Sequence, residues 1–230
     1  MSGHNRIGVT VVVFDVNGTL SNMSAMADAF EAVGAPAASA KTWFAGLLRD
    51  GFVLSTVGES KPFAEVARTH LTAVLGSVPL NGPIDQAASF ILERMRNLSL
   101  HPDVVEGIHS LTAAGLCLIT LSNGPTDIAE KLLSDAGIRD EFSQLLSVEG
   151  SSSWKPAGPA YDVAFAASGL SPGELLLVAV HPWDIHGAHR VGMRTAWINR
   201  DDEPYPSYFT APDLVARSIT ELADMLRSAN

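Results

Sequence analysis

Apolar positions along this chain fall into two kinds of run. Five short stretches are almost wholly aliphatic: IGVTVVVF (7–14), LCLITL (116–121), QLLSVE (144–149), ELLLVAV (174–180) and RTAWIN (194–199). Continuous apolar runs of this length fit strands covered on both faces, as in a parallel sheet. Between them, helical patterns run over about 103–114, 125–136, 157–168 and 183–191, with a last one near 218–228. The second of these has Pro125 at its start and Gly137 at its end, the usual order of helix punctuation. Alternation of strand and helix predicts a doubly wound α/β fold.

The stretch from about 21 to 100 breaks the alternation. It reads as helices only, around 24–33, 41–56, 62–76 and 83–97, separated by Gly34-Ala35-Pro36, Gly58 and Asn81-Gly82-Pro83. The expected division is therefore a core of 1–20 and 101–230 with a helical cap of 21–100 inserted after the first strand. Such an insertion sits above the C-terminal ends of the strands, where open α/β sheets bind ligands. Trp43, Phe44, Phe52 and Phe63 fall at helical spacing within it and are expected mainly in its core.

Composition narrows the class without changing this picture. The chain has 230 residues, of which 47% are hydrophobic and 17% charged, ample for a packed interior. Its net charge of −10 repels nucleic acid and anionic membranes, so neither is expected as a partner. The N-terminal apolar run is too short for a membrane span and lacks a cleavage site, and no later stretch reaches spanning length. The single cysteine, Cys117, lies in an aliphatic run and is expected in a buried strand. A cytoplasmic globular protein is the expectation.

Candidate chemistry stands at the strand ends. The first strand runs into Phe14-Asp15-Val16-Asn17-Gly18-Thr19-Leu20, the second into Ser122-Asn123-Gly124-Pro125. After the third comes Trp154-Lys155-Pro156 with Tyr161 beyond it, and the fourth leads into His181-Pro182-Trp183-Asp184. A carboxylate on a strand tip before a glycine loop suits a nucleophile. A hydroxyl, an amide and free helix N–H groups suit an anion. A lysine can keep a neighbouring carboxylate ionised, and a second acid can orient water or hold a metal. Each has a plainer alternative: Asp15 capping a turn, Ser122 or Asn123 capping a helix, Lys155 on the surface, Asp184 as an N-cap. Together, in this order, they argue for one site. His181, His186 and His189 are read as surface or supporting groups rather than metal ligands.

FDVNGTL, LSNG, WKP with its tyrosine, HPWDIHGA and RTAWINR resemble the haloacid dehalogenase superfamily over essentially the whole chain, and most of all its type II, L-2-haloacid dehalogenase branch. The resemblance implies a Rossmann-like parallel-sheet core with a helical cap, a homodimer, no cofactor and a small anionic substrate. It assigns Asp15 as nucleophile, Lys155 as its neighbour and Asp184 as the acid that helps activate water. It assigns Ser122 and Asn123 to the substrate, with Trp183 beside the second acid.

The chain also departs from that pattern. Asn17 stands where dehalogenases of the family carry Tyr and phosphatases carry an acidic proton donor; His181 replaces an Asn; and Trp43 is followed by Phe44 instead of the halide-cradling arginine. Arg49, Lys41 and Lys61 are candidates from the cap to stand in for it. Asn cannot donate a proton by titrating, whereas halide leaves without one. The expectation is thus a 2-haloacid dehalogenase working through an aspartyl ester, with no metal. Its rivals are a Mg²⁺-dependent phosphatase, with Asp15, the Asn17 carbonyl and Asp184 as ligands, and a lapsed enzyme that now only binds.

Overall fold

The computed structural model describes residues 8–229. Ile7, expected to open the first strand, and the reading of residues 1–7 as part of no leader both lie outside them. Six strands form one parallel sheet: β1 (Val11–Phe14), β2 (Cys117–Ser122), β3 (Phe142–Ser147), β4 (Leu175–Ala179), β5 (Arg194–Ile198) and β6 (Leu214–Ala216), in the order β3-β2-β1-β4-β5-β6. Strand order reverses between β1 and β4, and the crevice at such a switch point is where doubly wound sheets bind ligands. Phe14 is level with Thr120 on one side and Val178 on the other. The loops leaving β1, β2 and β4 therefore emerge side by side.

Alternation along β1 builds two cores. Val12 and Phe14 face α5 (Val104–Ala113), α6 (Thr126–Asp135) and α9 (Ile219–Ala229). Val11 and Val13 face α7 (Gly158–Ser168) and α8 (Pro182–Arg190). A central strand between two parallel neighbours must be apolar at every position, and all four residues of β1 are buried.

Between β1 and α5 come α1 (Ala25–Ala32), α2 (Ser39–Thr56), α3 (Phe63–Leu75) and α4 (Ile84–Arg96). Gly46 lets α2 and α3 approach, because a Cβ there would lie 1.8 Å from the His70 ring. Trp43 is buried beneath them and donates from Nε1 to the Ala67 carbonyl at 2.9 Å. The second core runs on into these helices, so they share its burial.

Trp154, after β3, seats α2 on the sheet. Its backbone N–H donates to Ser55 Oγ at 2.8 Å, its Nε1 donates to the Lys61 carbonyl at 3.1 Å, and its ring stacks on Phe63 with centroids 5.5 Å apart. Only glycine fits beneath that ring: a Cβ on Gly51 would meet it at 2.1 Å. The Phe63 N–H donates to Glu149 Oε1 at 2.9 Å, a second tie across the same seam.

Several local expectations need correction. β3 begins at Phe142, two residues before the aliphatic run suggested, because Phe142 is buried edge-on against Phe14. Val148–Gly150 is a 3₁₀ turn, which aims Glu149 at α3 rather than along the strand. Cys117 opens β2, but its side chain is exposed, with Sγ 3.1 Å from Ser143 Oγ. β6 has three residues at a sheet edge, too few for any apolar period to register. Among the described residues no helix is long and apolar enough to cross a membrane.

Candidate active site

Asp15 follows β1 directly, and its side chain is 6% exposed. Lys155 is wholly buried and lies between two carboxylates, donating from Nζ to Asp15 Oδ1 at 3.0 Å and to Asp184 Oδ2 at 2.6 Å. Asp184 is in the first turn of α8, where free N–H groups favour a negative charge, and its carboxylate faces Lys155 and Tyr161. Residues 15, 155 and 184 of the sequence thus form one line of acid, base and acid.

Supporting donors hold both carboxylates. Thr19 Oγ1 donates to Asp15 Oδ2 at 2.7 Å and accepts from the Val180 N–H at 3.1 Å, tying the β1 loop to the β4 loop. Tyr161 Oη, from α7, lies 2.7 Å from Asp184 Oδ1 and 3.1 Å from the Asp184 carbonyl. It can approach because α8 carries glycine opposite it; a Cβ on Gly187 would lie 2.5 Å from that oxygen. Sequence reasoning quoted Thr19 and Tyr161 within motifs but gave neither a role. The available signal was their hydroxyls at fixed offsets from Asp15 and Lys155.

Burial opposes ionisation of Asp15, but the charges of Lys155 and His181 and the Thr19 hydrogen bond outweigh it and hold this carboxyl below the usual range. For Asp184 burial prevails and, with the nearby Asp15 charge, raises the carboxyl despite Lys155. Burial would also discharge Lys155; the two carboxylates overcome it and raise the ammonium. Burial and then the Asp184 charge push Tyr161 well up, so it stays a donor. Two acids with opposite shifts can divide a reaction between nucleophile and proton acceptor.

The other candidates surround this line in different ways. Asn123 Oδ1 accepts from the Lys155 N–H at 2.9 Å and its Nδ2 donates to the Lys155 carbonyl at 3.2 Å, so its amide positions the lysine. Ser122 Oγ accepts from the Gly124 N–H at 3.0 Å, closing the turn before α6. His181 Nε2 donates to the Asn17 carbonyl at 2.8 Å and lies 3.6 Å from Asp15 Oδ2. Its ring stacks on Trp183, with centroids 4.9 Å apart, and Trp183 meets Phe52 of α2 edge-on. Asn17 lines a narrow gap with Met95, Leu98 and Leu132. Of the cap cations, Arg49 is paired with Asp50 and 66% exposed, while Lys41 lines a cavity beside His181.

A magnesium ion would need Asp15, the Asn17 carbonyl and Asp184 as hard oxygen ligands. Lys155 and Thr19 already occupy Asp15, His181 the Asn17 carbonyl, and Lys155 with Tyr161 the two oxygens of Asp184. Each of these oxygens thus already has a protein donor, with which a cation would have to compete. His186 is bonded through Nδ1 to Thr210, away from His181, and among the described residues no three His, Cys, Asp or Glu side chains converge as a metal group.

Known proteins resemble this chain over most of its length. Haloacetate dehalogenase H-2 of Moraxella sp. (strain B) is 28% identical over 207 residues, covering 89% of this chain and 92% of its own. (S)-2-haloacid dehalogenase 2 of Pseudomonas sp. (strain CBS-3) is 27% identical, covering 95% and 96%. The crystal structure of the L-2-haloacid dehalogenase of Xanthobacter autotrophicus with chloropropionic acid covalently bound superposes with a TM-score of 0.85, at 25% identity over 95% of this chain and 98% of that one. The model of haloacid dehalogenase-like hydrolases matches residues 9–192, which span the strand ends that carry Asp15, Lys155 and Asp184. That match covers well over half of the sequence, so this chain belongs to the haloacid dehalogenase-like hydrolase family.

Proposed function

We propose that the protein is an L-2-haloacid dehalogenase, hydrolysing (S)-2-halocarboxylic acids through an aspartyl ester. One observation carries this reading: a depressed, buried carboxylate shares a single lysine with a second carboxylate whose affinity for a proton is raised. In the first step an Asp15 oxygen bonds to C2 of the acid while the carbon–halogen bond breaks, and halide leaves with the bonding pair. In the second, water adds to the Asp15 ester carbonyl and gives its proton to Asp184. The tetrahedral intermediate then collapses: its hydroxyl proton passes to the departing 2-oxygen, the 2-hydroxy acid leaves, Asp15 regains its charge and Asp184 releases its proton to solvent. Splitting one hard displacement in two is the benefit of a covalent nucleophile.

In this reading Lys155 keeps Asp15 ionised and meets the substrate carboxylate with its remaining N–H, next to the Ser122 hydroxyl. Asn123 serves indirectly, by holding Lys155. Trp183 and His181 border the leaving group, since Phe44 stands where a cap arginine is expected. Asn17 contributes its carbonyl, through which His181 is held. No metal enters the scheme. The committed oxygens around Asp15 and Asp184 weigh against the phosphatase, and a wholly buried lysine between two acids is a costly feature for a protein that only binds.

A division into a core of 1–20 and 101–230 and a cap of 21–100, a homodimer and a cytoplasmic site belong to the same proposal. Chloride release from L-2-chloropropionate, against an Asp15→Asn control, tests the activity. Release equal to that of the control across several 2-haloacids overturns it. Magnesium-dependent turnover of a phosphate ester, lost in Asp15→Asn, would establish the phosphatase instead.

A further inference from the structure

A cavity of about 630 Å³ lies between α1 and α2 on one side and the segment after β5 on the other. Gly18 and His181 line it; Asp15 does not, but its Oδ2 is 3.6 Å from His181 Nε2, so this histidine stands between the cavity and the nucleophile. A three-carbon haloacid has roughly the volume of a few water molecules, each about 30 Å³ in the liquid. It would fill only a fraction of this space, which is within the usual range for a ligand site.

Its walls set an apolar stretch beside the polar side chains of Asn22, Ser24, His101 and Asn199. Met23, Met26, Phe44 and Leu48 come from the cap, Val180 and Trp197 from the core. Trp197 is fixed by donating from Nε1 to the Val180 carbonyl at 3.0 Å and by Tyr205 edge-on at 4.9 Å. Phe44 packs beside the His181 ring at 6.2 Å, so the aromatic wall continues to His181. The two methionines can reshape around differing carbon skeletons. Charge gives no net preference: Arg200 is paired with Asp103, and the exposed Lys41 is opposed by exposed Asp201 and Glu203.

We propose that this cavity receives the carbon skeleton of the substrate, so that the enzyme prefers 2-halo acids with an apolar side chain of four or more carbons to chloroacetate or chloropropionate. The inference rests on the dehalogenase reading above and adds the substrate class. Phe44, in place of a cation, makes the cap side of the site a wall for hydrocarbon.

The test measures bromide release from 2-bromopropionate and 2-bromohexanoate by the native protein, by Ala45→Trp and by Asp15→Asn as the baseline. Ala45 is exposed on the cavity wall, so the indole enters the cavity without displacing core. The native protein is expected to show kcat/KM at least about tenfold higher for the hexanoate, the range that apolar contacts give. Ala45→Trp should lower the hexanoate value about tenfold, mainly through KM, and the propionate value far less. Turnover of propionate equal to or above that of hexanoate, or an equal loss of both in Ala45→Trp, overturns the inference and leaves the dehalogenase reading intact. Release from neither acid above Asp15→Asn overturns both.

Discussion

Asn123 grips both polar backbone groups of Lys155, accepting from its N–H at 2.9 Å and donating to its carbonyl at 3.2 Å. The residues are 32 apart in sequence, yet this one amide sets where the lysine starts its reach toward Asp15. Asn123→Ala should leave two buried backbone groups unpaired, costing about 1–3 kcal/mol each. Dehalogenation should fall roughly 10- to 100-fold, since about 1.4 kcal/mol is a factor of ten in rate. Asn123→Asp keeps the acceptor and loses the donor, and should fall between the two. Steady-state halide release measures both.

Tyr161 reaches Asp184 only because residue 187 has no side chain. Gly187→Ala would place a Cβ 2.5 Å from Tyr161 Oη and 2.6 Å from Pro156 Cβ. The expected cost is about 1–3 kcal/mol, as for other forced overpacking, read from urea unfolding. Adding Tyr161→Phe removes the oxygen half of the clash but not the Pro156 half. The double variant should recover part of the loss in stability and none in rate.

Lys155→Met should unfold most readily of all. It leaves the carboxylates of Asp15 and Asp184, 6% and 0% exposed, without their shared cation. Removing one partner of a buried pair typically costs about 3–5 kcal/mol. Lys155 and His181 depress the Asp15 carboxyl against burial; such a group stabilises the fold above the ordinary Asp range of about pH 4 and less as acid passes through its lowered value. The gap between native protein and variant, measured by thermal unfolding, should therefore be full at pH 7 and narrow on acidification.

Asp103 ties α5 to the β5 end of the sheet. It accepts from Arg200 Nε at 3.2 Å and Nη2 at 3.0 Å, and from the Ile219 N–H at 2.7 Å. Burial opposes its charge, but the Arg200 hydrogen bonds and the Ile219 N–H hold its carboxyl below the usual range. Asp103→Asn should cost about 1–3 kcal/mol near neutrality. The same sign applies: the loss is complete above about pH 4 and fades below it. Halide release per folded molecule should change little, which separates this residue from Asn123.

Much of the molecule was legible along the chain. The VVVF of β1 and the aliphatic body of β4 announced strands buried on two faces, because a parallel sheet covered by helices has no polar side to encode. The interruption of that alternation after β1 announced the four-helix insertion. Asp15, Lys155 and Asp184 stood out as charges beyond the ends of apolar strands. Edges were less legible: β6 is too short for periodicity, and exposure of Cys117 depends on its being the first residue of its strand.

What the sequence determined by itself was the fold class, the order of elements and the identity of the charged groups, because these follow from local period and residue type. Only the tertiary structure decided that one lysine serves two acids, that Asn123 holds that lysine and that Thr19 and Tyr161 complete the carboxylates' hydrogen bonds. It alone brought a donor to the Asn17 carbonyl and opened a partly apolar cavity beside His181. The reason is distance: each of these depends on loops that meet only when β1, β2 and β4 lie in register, and on side-chain directions set by packing across the seam between cap and sheet.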